Sequence, residues 1–283
     1  MSEKILVTGA TGNLGSAVVK ALAGRGASLR AASTDPTKLR LPEGVERVKL
    51  VYQDPSTYEA ALGGVEGLFL VAPPLDPDAP AKLRPVIAQA KALGVGHIVF
   101  NSALGVDQNE EAPLRVVELA LMDAGVKYTI LRPNFFMENF STGWMAPMIK
   151  EHGTIFVAAD EGKTSFISTR DIAEVAAIAF EKKLYSEAFD LTGSEALSHA
   201  EVAGIMSAAS GKLIAYQCLS EDGMLQGARS QGMPEGAVQY LGFLYSFVRA
   251  GYMAATTHEV ENVTGRKPRT FAEFAQDSAV YWK

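Results

Sequence analysis

Cysteine is nearly absent: Cys218 is the single one in 283 residues. No intrachain disulfide can form, so the fold must rest on burial and hydrogen bonding, and it fits a reducing compartment. On a predicted strand from Leu213 to Leu219, that thiol reads as a small buried hydrophobe rather than a nucleophile. Also missing is any uninterrupted apolar run of about 18 residues, the length a membrane-crossing helix needs, so no membrane partner is expected. Basic charge is scarce. Lys and Arg number 26 against 32 Asp and Glu, a net charge of -6, and the densest basic runs are Lys182-Lys183 and Arg266-Lys267-x-Arg269. Nucleic-acid binding needs a basic footprint that this pattern lacks. The four histidines (His97, His152, His199 and His258) are scattered without metal-ligand spacing, and no metal site is expected. Low-complexity segments are absent, and 48% apolar with 20% charged residues excludes long disorder. The first strand begins almost at once and leaves no room for a leader, so a cytoplasmic location is expected.

What is present begins at Lys4. Lys4-Ile5-Leu6-Val7-Thr8-Gly9-Ala10-Thr11-Gly12-Asn13-Leu14-Gly15 runs from a buried strand into a glycine turn. Leu14, Ala17, Val18, Ala21 and Leu22 then mark one apolar face of a helix. Strand, glycine turn and helix N-terminus make a seat for a pyrophosphate, because free backbone N–H groups and the positive helix end converge there. Gly9 and Gly12 keep the turn and the ligand clear, and Gly15 permits close helix–strand packing.

Downstream, strands are predicted at Ile5–Thr8, Leu29–Ser33, Val45–Val51, Gly67–Val71, His97–Asn101 and Tyr128–Leu131. Helices alternate with them at Leu14–Ala23, Thr57–Leu62, Ala81–Leu93 and Leu114–Ala124. That order predicts an α/β fold, a Rossmann-type doubly wound parallel sheet with ligands along the strand C-termini. The expected boundary puts a dinucleotide-binding domain at 1–152. A smaller, mostly helical substrate lid, interleaved with it, occupies 153–283. Short strands are predicted there at Thr154–Val157, Thr164–Ile167 and Phe189–Thr192. Ser168-x-x-Asp171, Ser198-x-x-Glu201 and Thr270-x-x-Glu273 read as helix caps, and Met224–Met253 as helical.

Six stretches carry a resemblance. The Gly9-x-x-Gly12-x-x-Gly15 spacing resembles the extended and atypical short-chain dehydrogenases/reductases. Tyr128-Thr129-Ile130-Leu131-Arg132-Pro133-Asn134-Phe135-Phe136-Met137-Glu138-Asn139-Phe140 is similar to the segment at the sixth strand of the NmrA-like members. His97–Ala103 resembles their fifth strand. Asp190–Gly193, Ser198–Ala203 and Thr264–Phe271 resemble their C-terminal region. The resemblance covers essentially the whole chain and implies nicotinamide dinucleotide binding. It leaves open both reductases (of quinones, triphenylmethane dyes and ergot alkaloids) and regulators that bind the dinucleotide without turnover.

On that resemblance Gly9, Thr11, Gly12, Asn13 and Leu14 hold the pyrophosphate. Ser33, Thr34 and Lys38 follow the second strand, where the adenosine ribose is read. Their hydroxyls and one cation favour NADP, with NAD as the alternative. Ala72, Pro73, Asn101, Asn134 and Phe135 are further expected cofactor contacts, and Phe136, Met137 and Asn139 are expected against the substrate. The usual Tyr-x-x-x-Lys pair belongs on the helix before Tyr128. Here that helix reads Leu114-Arg115-Val116-Val117-Glu118-Leu119-Ala120-Leu121-Met122, with neither residue. Ser102 and Glu138 are the remaining catalytic candidates. The expected function is therefore NAD(P)H-dependent hydride transfer to a small planar electron-poor substrate (a quinone, an imine or a dye cation) that needs little proton help. The alternative is a non-catalytic redox sensor acting through a protein partner, for which the Met-rich second half offers an adaptable face. A homodimer is compatible with either reading.

Overall fold

The computed structural model describes residues 3–283. Its chain forms β1 (Lys4–Val7), α1 (Asn13–Ala23), β2 (Ser28–Ser33), β3 (Glu46–Lys49), α2 (Tyr58–Leu62), β4 (Gly67–Val71) and α3 (Ala79–Ala92). Next come β5 (His97–Asn101), α4 (Pro113–Asp123), β6 (Lys127–Pro133), α5 (Ala146–His152), β7 (Thr154–Val157), β8 (Lys163–Thr164), α6 (Thr169–Lys182) and β9 (Glu187–Leu191). The remainder is β10 (Leu197–Ser198), α7 (His199–Ser210), β11 (Ala215–Cys218), α8 (Glu221–Ser230), α9 (Glu235–Arg249), α10 (Glu259–Thr264) and α11 (Phe271–Ser278).

Packing divides the chain into two compact units. One holds Met1–Pro74, Asp78–Pro133 and Thr169–Asp190; the other holds Leu75–Pro77, Asn134–Ser168 and Leu191–Lys283. The chain thus leaves the first unit at Pro133, ahead of the expected boundary at 152. Just past that point Phe135 and Met137 exchange backbone hydrogen bonds with Ile167 of the second unit.

The first unit carries a seven-stranded sheet in the order β3-β2-β1-β4-β5-β6-β9. The pairs from β3 to β6 are parallel. Ser186 N–H donates to Tyr128 O, and Asn134 N–H to Leu191 O, which runs β9 in the same sense as β6. Strand order reverses between β1 and β4, the switch point where ligands enter such sheets. Side chains alternate between the two faces. Leu6, Leu68, Leu70, Ile98 and Phe100 pack with Leu83, Ile87, Val117 and Leu121 of α3 and α4. On the opposite face α6 comes so close that a Cβ on Gly67 would lie 3.0 Å from the Phe180 ring. Arg25, just past the end of α1, pairs there with Glu174 of α6 at 2.7 Å.

One buried ion pair fastens α4 to the sheet. Arg132 of β6 donates from Nε and Nη2 to the two carboxylate oxygens of Glu118, at 2.9 and 2.8 Å. Its Nη1 reaches Asp107 at 3.0 Å, and Arg115 adds a bond to Glu118, also at 3.0 Å. Glu118 has no solvent exposure, and the bidentate geometry is the strong form of this contact. The sequence offered a hint: a cation ending an apolar strand requires an acid nearby.

In the second unit β7 and β11 pair in parallel, and β8 and β10 antiparallel. Its core gathers Phe140, Phe166, Met206, Tyr245 and Phe271. Two of the three expected helix caps form full capping boxes, Ser198 with Glu201 and Thr270 with Glu273. Three expectations need correction. The stretch Met224–Met253 is two helices, because Gly232 takes a left-handed φ of 80° and Pro234, without an N–H, starts α9 afresh. The strand at 164–167 shortens to β8, with Ile167 bridging Phe136 instead. Cys218 is exposed, not buried: β11 pairs only with β7, and its thiol donates to Asp160 Oδ1 at 3.2 Å.

His97 is structural, as its place in a buried strand suggests. Thr129 gives its hydroxyl proton to Leu184 O, which leaves its oxygen to accept from His97 Nε2 at 2.8 Å. His199 sits among Phe140, Phe166, Tyr216 and Tyr245. Burial pushes both imidazoles down to about 4.

Both rings favour the neutral form in the folded state and titrate near 6.5 when unfolded. Their contribution is therefore complete above pH 6.5 and is lost as pH falls from 6.5 through about 4. Thermal unfolding followed across that range should show the midpoint dropping, and His199→Phe should lessen the drop. Glu118→Ala should cost about 3–5 kcal/mol in denaturant unfolding, because it leaves Arg132 buried without its main partner.

Candidate functional site

The turn after β1 is shaped by backbone contacts that exclude side chains. Gly9 has φ 61°, and a Cβ there would lie 2.7 Å from Val71 Cγ1. A Cβ on Gly15 would lie 2.3 Å from Gly9 O, an impossible approach, whereas one on Gly12 would sit at 3.3 Å from the same oxygen. Gly12 N–H donates to Gly9 O at 2.9 Å, and Ala10 N–H to Ala32 O at 3.1 Å, which ties the turn to the end of β2.

Gly12 is also the N-cap of α1. No side chain caps that end, and no acid lies in its first turn. The first N–H groups of a helix need acceptors, and this end keeps its positive potential for an anion. Thr11 is exposed and Asn13 half-buried, while Leu14 belongs to the core and offers only its backbone. A pyrophosphate therefore fits this cradle on steric and electrostatic grounds.

The other sites predicted in the first unit lie at C-terminal ends of neighbouring strands, on the same sheet edge. Ser33, after β2, is turned inward: its hydroxyl donates to Asp35 O and accepts from Asp35 N–H, both at 3.1 Å. Asp35 caps the short turn Pro36–Lys38, accepting from Thr37 N–H and the Thr37 hydroxyl. Those bonds hold its carboxyl below the usual range. Thr34 and Lys38 remain exposed, with Lys38 3.7 Å from Asp35. Ala72 and Pro73 leave β4 half-buried.

At the end of β5, Asn101 and Ser102 are buried, and Asn101 Oδ1 and Ser102 Oγ have no hydrogen-bond partner. Two orphaned oxygens on the ligand edge of the sheet fit the hydroxyl and amide groups of a dinucleotide or substrate. Glu118, on the helix where an acid would be sought, is wholly engaged by Arg132 and Arg115.

The remaining predicted residues form their own cluster in the second unit. Asn134 is buried and fully used: Nδ2 donates to Ser165 Oγ and Met253 O, and Oδ1 accepts from Phe135 N–H. Phe135 is half-buried with its ring 5.8 Å from that of Tyr245, and Trp144 meets Tyr245 at 6.3 Å. Phe136 and Asn139 are half-buried, while Met137 is 1% exposed and lies in the core. Glu138 accepts from the Ser168 hydroxyl at 2.9 Å, and its backbone oxygen takes the N–H groups of Ser141, Thr142 and Gly143. Sequence reasoning missed Thr8, Tyr52 and Val71, which meet beside the glycine turn. Nothing local in the sequence links Tyr52, after β3, to a strand three places away in the sheet.

Residues 1–275 match the model of the NmrA-like family. The chain is 36% identical to the NAD(P)H azoreductase of Xenophilus azovorans, over 97% of this chain and 98% of that one. It is 36% identical to the agroclavine dehydrogenase of Claviceps fusiformis, over 85% and 86%. The NADPH-dependent quinone oxidoreductase of Escherichia coli, solved with NADPH, matches with a TM-score of 0.81 and 29% identity over 96% of this chain and 99% of its own. With its glycine turn, strand order and near-complete coverage in agreement, this chain belongs to the NmrA-like family.

Proposed function

We propose that the chain is an NAD(P)H-dependent oxidoreductase that uses NADPH to reduce small planar electron-poor acceptors, quinones and azo or iminium compounds first. The observation that carries this reading is the cradle at Gly9–Gly15, in a chain that matches an NAD(P)H azoreductase along 97% of its length. Bound there, the dinucleotide supplies the hydride. The protein's own part is to bind, orient and exclude water.

The backbone of Gly9–Gly15 and the open end of α1 would seat the pyrophosphate. Lys38 and Thr34, both exposed, would meet the 2′-phosphate, Lys38 giving up its 3.7 Å pairing with Asp35 to do so. Asn101 and Ser102 would use their orphaned oxygens at the nicotinamide end. Phe135 and Phe136 offer half-buried aromatic surface to a planar acceptor. With Glu118 neutralised by two arginines, α4 supplies no acid. Acceptors whose reduced form gains its proton from water suit such a site better than simple ketones.

Loss of NADPH absorbance should accompany turnover of at least one class among quinones, azo dyes and cyclic iminiums, with NADPH preferred over NADH. Tight NADPH binding without turnover of any of them would overturn the reading in favour of a sensor. Within the cradle, Gly12→Ala should weaken NADPH by no more than about tenfold, or about 1.4 kcal/mol. Gly15→Ala should abolish binding in the same titration, because its contact is with backbone that cannot yield.

A further inference from the structure

β4 runs past the point where β1 can hold it. The β1–β4 ladder ends at Val7 opposite Phe69, and the last backbone bond is Thr8 N–H to Phe69 O at 3.0 Å. Beyond it β1 gives way to the glycine turn, yet β4 continues to Val71. On its far side Val71 still faces Asn101 of β5. On the near side two side chains replace the missing strand.

Thr8 Oγ1 accepts the Val71 N–H at 3.1 Å and donates its own proton to Phe69 O at 3.0 Å. Tyr52 donates its phenol to Val71 O at 2.8 Å. Tyr52 follows β3, and β2 and β1 lie between β3 and β4 in the sheet. Its bond therefore links the segment after the edge strand to the end of β4, across the switch point. Tyr58 secures that segment in turn, donating to Tyr52 O at 2.5 Å. Burial lifts the Tyr52 phenol well above its ordinary range, so it stays a donor at any physiological pH.

Two further observations make this bond matter for ligand binding. Val71 is the residue whose Cγ1 fills the space beside Gly9, so its position sets one wall of the glycine turn. The chain then continues through Ala72-Pro73-Pro74 to Leu75, which has φ 52°. The two prolines lack N–H groups, so this segment has few means of fixing itself and takes its starting point from Val71. A leucine with positive φ adds local strain that the anchor must withstand.

We propose that Tyr52 is a positioning residue for the dinucleotide: through Val71 it fixes the spacing between the end of β4 and the glycine turn after β1. It sets the width of the opening that receives the pyrophosphate and the ribose beside it, and it does not itself touch the reacting atoms. This rests on the reading that the turn holds NADPH.

The test uses the full-length protein and Tyr52→Phe, which removes one hydroxyl. NADPH binding by titration should weaken by about tenfold, the scale of one buried hydrogen bond. kcat at saturating NADPH should stay close to wild type while KM for NADPH rises with Kd. Tyr58→Phe is the control. It loosens the same segment one bond removed from β4, and should lower the unfolding midpoint while weakening NADPH clearly less than Tyr52→Phe does. Thr8→Val, which takes away the acceptor for Val71 N–H, is an independent variant with the same expected direction should Tyr52→Phe not fold. Unchanged NADPH affinity in Tyr52→Phe, or equal weakening in Tyr52→Phe and Tyr58→Phe, would overturn the assignment. Failure of the wild-type chain to bind NADPH would remove the reading beneath it, and that outcome appears before any variant is made.

Discussion

The approach of α1 to the turn after β1 is the contact on which the ligand-binding end of the first unit depends. With Gly15 set so that a Cβ would lie 2.3 Å from Gly9 O, helix and turn meet backbone to backbone. That closeness lets the N-terminus of α1 open directly onto the sheet edge instead of being held away by a side chain. The turn is also tied on both flanks, by Ala10 N–H to Ala32 O at the end of β2 and by the packing of Gly9 on Val71 of β4. A change at any of the three elements is felt in the same small volume. The parallel sheet then makes the arrangement general, because every strand from β1 to β6 ends on that edge. This is why Ser33, Ala72 and Asn101 come together although they are far apart in sequence.

The bidentate pair of Arg132 and Glu118 sets the chemical character of that edge at β6. A carboxylate buried on α4 would be a candidate acid or base if it were free. Held by Arg132 and Arg115, it acts as a fastening between helix and sheet. The pair contributes little net stability against well-packed apolar residues, but losing one partner is costly, so it acts as a constraint on how α4 sits. Proton-transfer groups are thereby withdrawn from α4. What the strand ends still offer is neutral and polar, in the orphaned oxygens of Asn101 and Ser102.

Much of the first unit was legible because local and long-range signals agree there. Strands buried on both faces read as continuous apolar runs, and glycines or capped turns separate them from the helices. Gly67–Val71 and His97–Asn101 were located to the residue. The second unit was harder, for identifiable reasons. In Met224–Met253 the break falls at Gly232-Met233-Pro234, a signal outweighed by the Met-, Phe- and Tyr-rich composition around it. Cys218 was misjudged because exposure depends on which strand pairs with β11, and sequence does not give that. In the candidate site the glycine cradle was legible from the glycine spacing together with the strand before it and the helix after it. The commitment of Asn134 to Ser165 and Met253, and the reach of Tyr52 to Val71, are tertiary facts with no local trace.

The choice between enzyme and regulator turns on where the methionines went. Read in sequence, a Met-rich second half serves either as the wall of a pocket or as an adaptable face for another protein, since thioether side chains repack easily. Met137, Met145, Met206, Met224 and Met253 are all buried, and each packs into the core of the second unit. Met148 and Met233 are half-buried and pack against the same core, so most of this plasticity is spent on filling it around Phe140, Phe166 and Tyr245. Phe135, Phe136 and Trp144, on the segment after β6, are among the rings left half-buried. Two of them stand edge-on to the fully buried Tyr245, which limits their freedom. Asn134 holds the start of this segment through both its donors and its acceptor. A fixed aromatic surface suits a rigid planar molecule, which loses little entropy in docking against it. It suits a partner that must be accommodated by rearrangement much less well.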